Sequence, residues 1–124
     1  MTKITITAGN VTMDAELNDS PTAQAVIAIL PIKNTGTLWG DEIYFSIPVH
    51  MDAEPEANAQ VEVGALAYWP PGNAFCIFFG PTPASSGAKP EAASPVNVIG
   101  HVLGDATKFR TVSNGANIKI EHAS

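Results

Sequence analysis

Apolar and polar residues alternate with period two from the start of the chain. Ile4 and Ile6 fall on one side, Thr5 and Thr7 on the other, and β-branched threonine suits the wet face of a strand. Ala8-Gly9-Asn10 supplies a turn, after which Val11, Met13, Ala15 and Leu17 alternate with Thr12, Asp14, Glu16 and Asn18. This predicts a hairpin with one dry and one wet face, the mark of antiparallel sheet. The period then changes. Ser20-Pro21 reads as an N-cap followed by proline at the first helical position, where a missing N–H costs nothing. Ala23, Val26, Ile27 and Leu30 form an apolar stripe at helical spacing, so one helix of about ten residues is expected, stopped by Pro31.

Strand signals return beyond it. Ile43, Phe45, Ile47 and Val49 alternate with Glu42, Tyr44, Ser46 and Pro48, and residues 50–60 read as an acidic loop. Val61 and Val63 restart the alternation, with Gly64 bending into a strand over 65–69. Pro70-Pro71-Gly72-Asn73 is the strongest turn signal. Residues 74–79 are too continuously apolar for a strand with one wet face, which predicts burial on both sides. Residues 81–95 read as a long Pro/Ser/Ala loop, and 96–103 as a strand broken or bulged near Gly100. Asp105 caps a short second helix running to Val112, and Ile118 and Ile120 mark a last strand. Eight or nine short strands with one or two short helices suggest a barrel or sandwich. No repeat or boundary divides residues 1–124, so a single domain is expected.

Composition narrows the function classes. Ten prolines argue against an all-helical bundle. The net charge is −6, and no Lys or Arg occurs from Asn34 through Ala88, where Asp41, Glu42, Asp52, Glu54, Glu56 and Glu62 all lie. Nucleic acid needs clustered cations to displace its counterions, and anionic membrane surfaces need them too. Neither partner is expected. No apolar run approaches the roughly 20 residues of a membrane helix, and the alternating start is not a signal peptide, so a cytoplasmic protein is expected. The lone Cys76 excludes an intrachain disulfide and CxxC zinc ribbons.

Three stretches carry a resemblance: TLWGDEIYFSIPV at 37–49, GALAYWPPGNAFCIFFGPTP at 64–83 and SPVNVIGHV at 94–102. Together they resemble a family of small, single-domain bacterial and archaeal proteins with a cyclophilin-like fold. The resemblance covers nearly the whole chain. It implies a mostly β protein: a closed cyclophilin-like antiparallel β-barrel of about eight strands with one or two short helices over its ends. Fold membership does not carry the proline isomerase activity. True cyclophilins use an arginine on the strand that corresponds to Glu42–Pro48, near Phe45, and this chain has no arginine in residues 1–109. Their glycine-rich stretch after that strand is replaced here by the acidic loop.

An aromatic surface remains. All aromatic residues except Phe109 lie between Trp39 and Phe79. Such a concentration serves a barrel core by default, but Trp and Tyr also offer apolar faces with polar tips to a ligand. The expected ligand groove is lined by Trp39, Tyr44, Tyr68, Trp69 and Phe78, with an acidic surround that favours a neutral or cationic ligand. Cys76, inside AFCIFF, reads as a small buried hydrophobe rather than a nucleophile. His50, Asp52, Glu54 and Glu56 alternate, yet match no EF-hand or zinc spacing. Asp41 and Glu42 point to opposite faces of a strand and read as rim charges. Asn97 reads as a buried amide serving the fold.

No catalytic residue, metal or cofactor is assigned. The first reading is a protein that binds a small molecule or short peptide non-covalently. A weak peptidyl-prolyl isomerase acting by shape and desolvation is the second. The third is an accessory, self-associating module related to the cyclophilin-like domains of amidolytic carboxyltransferase and oxoprolinase assemblies.

Overall fold

The opening alternation forms the hairpin it predicts. In the computed structural model, which describes residues 1–123, β1 (Thr2–Ala8) pairs antiparallel with β2 (Val11–Leu17). Ile4, Ile6, Met13, Ala15 and Leu17 are buried on the shared face. Ser20 caps α1 (Pro21–Ile27) by accepting the Ala23 N–H at 3.2 Å. The helix has seven residues instead of about ten. Beyond it the Ile29 and Leu30 N–H groups turn to the Val26 and Ile27 carbonyls, so the chain tightens before Pro31.

Eight further strands follow: β3 (Ile32–Thr35), β4 (Thr37–Leu38), β5 (Glu42–Ser46), β6 (Asn58–Gln60), β7 (Ala65–Trp69), β8 (Ala74–Phe78), β9 (Glu91–Val102) and β10 (Asn117–His122). The pairs are antiparallel. They form a ten-stranded sheet in the order β3-β10-β1-β2-β9-β7-β8-β5-β4, with β6 added beside β9. The expected second helix is a 3-10 helix over Ala106–Thr111, capped by Asp105, whose carboxylate accepts the Thr107 N–H at 3.0 Å. No helix among the described residues is long and apolar enough to cross a membrane.

Two expectations are corrected here. The ladder is not closed: it ends on β3 and β4, which are consecutive in sequence and joined through Gly36. The backbone groups at that junction are taken by the 114–116 turn instead. Gly36 donates to the Ala116 carbonyl and accepts from Gly115, and the Leu38 N–H goes to Asn114 Oδ1 at 2.8 Å. Across the gap Asn34 Nδ2 donates to the Ser46 carbonyl at 2.8 Å. The second correction concerns residues 81–95. The last five are not loop but the first part of β9, which runs for twelve residues. Likewise β6 occupies the end of the acidic loop.

The central strands bury both faces. On the inner face Ile43, Phe45, Leu66, Tyr68, Phe75 and Ile77 join the β1–β2 residues, Val26 and Phe109 in the main core. Phe45 and Phe75, directly opposite in the register, stack with centroids 5.4 Å apart. On the outer face Ala65, Ala67, Ala74, Cys76, Phe78, Ala92 and Val96 form a second, smaller core. The continuously apolar run 74–79 is thus buried on both sides, as its composition predicts.

Candidate functional site

Period two decides what shares the outer face. Within β5, Glu42 and Tyr44 point away from the main core while Ile43 and Phe45 point into it. The register sets Tyr44 opposite Cys76 and Cys76 opposite Ala67, with Trp69 opposite Ala74. The tight turn between β4 and β5, closed by the Trp39 N–H on the Glu42 carbonyl at 2.9 Å, brings Trp39 beside them. The early part of β9 then lies across this face. The result is a half-open cavity of about 230 Å³ lined by Trp39, Glu42, Tyr44, Trp69, Ala92, Ala93 and Val96.

Trp69 is held at both ends of its ring. Its Nε1–H donates to Ser94 Oγ at 2.7 Å. Its six-membered ring lies so close to Gly72 that a Cβ there would stand 2.7 Å from Cζ3. Glycine at the end of the Pro70-Pro71-Gly72 turn is therefore what lets the six-membered ring come this close to the backbone while Trp69 lines the cavity.

Glu42 corrects the rim-charge reading. It is only 6% exposed, and none of the ion pairs among the described residues includes it. Burial pushes its carboxyl up to about 7, partly offset by the nearby Cys76 thiol, whose own hydrogen bond runs to the Ala74 carbonyl at 3.8 Å. Cys76 is itself buried. Burial first, then the charge and hydrogen bond of Glu42, push its thiol well above the ordinary range. A thiol so placed is a poor nucleophile. The neighbouring Asp41 points elsewhere and accepts Arg110 Nε at 3.1 Å. Opposite faces for Asp41 and Glu42 are as expected; the wet outer face is not.

Of the five residues expected to line a groove, three come together: Trp39, Tyr44 and Trp69. Tyr68 does not join them. It is fully buried on the inner face, where its hydroxyl donates to the Val49 carbonyl at 2.6 Å and accepts the Met51 N–H at 3.2 Å. Phe78 faces the same side as the cavity but lies within the small core under it and does not line it. The residues missed were Glu42 and the wall from β9. One signal was present, since Glu42-x-Tyr44 places the carboxylate on the tyrosine's face.

The acidic loop is tied to the fold rather than gathered around an ion. Glu54 accepts from the Thr22 N–H at 3.3 Å and from the Thr22 hydroxyl. Asn97, 2% exposed, accepts the Glu54 N–H at 2.8 Å and donates to the Asp52 carbonyl and Thr22 Oγ1. Among the described residues, no three His, Cys, Asp or Glu side chains are grouped to hold a metal.

A mostly antiparallel sheet, buried on both faces at its centre and carrying one aromatic cavity on the outer face, defines the class. The chain belongs to the Cyclophilin-like family, whose model matches residues 2–121. It is similar to a hypothetical protein of Archaeoglobus fulgidus known from a solution structure, with 38% identity and a TM-score of 0.82 over 98% of this chain and 95% of that one. It shares the fold of McbB, seen in complex with tryptophan, at 13% identity and a TM-score of 0.69, covering 98% of this chain and 45% of McbB. No curated protein matches the chain.

Proposed function

We propose that the protein binds a small molecule, non-covalently, in the cavity between Trp39, Tyr44 and Trp69. The observation that carries this reading is the convergence of three partly exposed aromatic side chains on a buried carboxylate beside an alanine and valine wall from β9. Ligand sites are mostly apolar concavities with a few placed polar groups, and this cavity has that make-up. Its size favours a small molecule over a peptide, since about 230 Å³ lies below the roughly 300–1,000 Å³ of drug-sized sites. Arg110, the chain's one arginine, is engaged with Asp41 and does not line the cavity. No guanidinium therefore faces a substrate there, which supports binding over proline isomerisation. McbB lends the fold to this reading and not its ligand.

Both tryptophans of the chain line the cavity, so intrinsic fluorescence reports its occupancy. Fragment-sized aromatic and cationic probes should change the emission of the wild type in a saturable way. Trp69→Ala should remove that saturation while the far-ultraviolet circular dichroism of the sheet is kept. Saturable binding that survives Trp69→Ala unchanged contradicts the assignment.

A further inference from the structure

Resting on that reading, we propose that the ligand is a small organic cation, an alkylated ammonium ion, taken up by the Glu42 carboxylate and the ring faces of Trp39, Tyr44 and Trp69. Every other residue lining the cavity is apolar or aromatic, and no Lys, Arg or His is among them. An ionised carboxylate taken out of water needs an opposite charge or several hydrogen bonds. Among the described residues Glu42 has neither: no ion pair includes it, and the neighbouring Cys76 thiol is a weak donor. The protein thus presents half of an ion pair and leaves the other half to the ligand.

The aromatic walls point to the same chemistry. The faces of Trp and Tyr carry negative quadrupole potential and attract a cation, most strongly where water is excluded. An anion would meet Glu42, these faces and a net charge of −6 together. The degree of alkylation follows from the scarcity of acceptors. A primary ammonium brings three N–H donors, and the lining offers Glu42 and the Tyr44 hydroxyl but no Asn, Gln, Ser or Thr side chain. Alkyl groups on nitrogen remove donors that would go unpaired and replace them with surface that packs on indole.

Binding must then depend on pH through Glu42. A cation favours the ionised carboxylate, and burial by the protein holds that group near 7, so affinity rises as pH passes from below 7 to above it. Of the lining residues only Tyr44 titrates besides Glu42, and Cys76 lies beneath on β8 with its thiol pushed up. Just before β5, Asp41 is bound to Arg110, and Glu91 stands just before Ala92 on β9, outside the lining. The histidines, His50, His101 and His122, are outside the lining as well.

The test is calorimetric titration with choline and with its neutral carbon isostere, 3,3-dimethylbutan-1-ol, at pH 5.5 and pH 8. The expected result is choline binding on the order of tenfold or more tighter at pH 8 than at pH 5.5, with the isostere showing no such gain. Glu42→Gln should lower choline affinity at pH 8 by about tenfold or more and flatten its pH dependence, while leaving the isostere bound. The wild-type pH comparison stands even if that variant fails to fold. Choline and the isostere binding equally at both pH values would overturn the cation assignment and leave the cavity as a neutral site. If neither probe binds in the wild type, the cation assignment is overturned, while the cavity reading is decided separately by the aromatic-fragment titration and its Trp69→Ala control.

Discussion

Glu42 concentrates the account in one side chain. Its carboxyl is raised from an ordinary 4.5 to about 7 by burial, so between these values the folded protein holds a proton that the unfolded chain has released. Its contribution to stability is therefore present below pH 4.5 and lost as pH rises through 7, by about 3 kcal/mol in total. Glu42→Gln should match the wild type near pH 4.5 and exceed it by about 3 kcal/mol at pH 8, read from denaturation midpoints across that range. A parallel pH dependence in both proteins would show that Glu42 is not buried as described. Because the Cys76 thiol lowers the carboxyl's value, Cys76→Ala should move the Glu42 titration upward in carboxyl carbon spectra. A downward or absent shift would remove Cys76 from the site.

The elements of the fold were legible where local pattern and tertiary context agree. The β1–β2 alternation, the Ser20 cap, the Gly64 bend (φ +93°) and the doubly buried β8 could all be read from neighbouring residues. Residues 91–95 could not, because Glu-Ala-Ala-Ser-Pro has neither β-branched residues nor clear alternation. What makes them strand is pairing, with Gln60 opposite Glu91 and Asn58 opposite Val96. The same miss hid the site. Without a wall over the outer face, Glu42 reads as a wet charge and Tyr68 as no more core-bound than Tyr44. Short β3 and β4 likewise exist through their partners β10 and β5.

Two predictions belong to this scale. Gly72→Ala should displace the Trp69 indole, break its bond to Ser94 and change tryptophan emission. An unchanged spectrum would show that the ring is not seated on that glycine. Asn97→Ala should cost about 3 kcal/mol, since it strands the Glu54 N–H and the Asp52 carbonyl at once. Hydrogen exchange should quicken over residues 50–57 in that variant while the β1–β2 amides keep their protection.

At the scale of the molecule, the two cores divide the work. The main core, with β1, β2, β10 and α1 around it, holds the sheet together, and the small outer core, whose buried residues are separate from the main one's, gives the cavity Ala92 and Val96. The two sides meet where β9 crosses from the cavity wall to β2. Gly100 lies there opposite Leu17, and a Cβ at this position would run into the Glu16 carbonyl. Gly100→Ala should therefore destabilise the whole protein by about 2 kcal/mol through overpacking, seen as a single shifted unfolding transition. A neutral effect would mean that β2 and β9 are further apart than described.

The most direct measurement is a proton–nitrogen correlation spectrum followed through titration with choline and a set of indole-sized fragments. Each tryptophan indole gives its own signal, and both belong to the cavity. Ligands that bind should shift both indole signals, together with the amides of Glu42, Tyr44 and Ala92, and leave Tyr68 and the β1–β2 hairpin unmoved. Ligands whose shifts gather elsewhere, with both indoles unchanged, would contradict the cavity assignment.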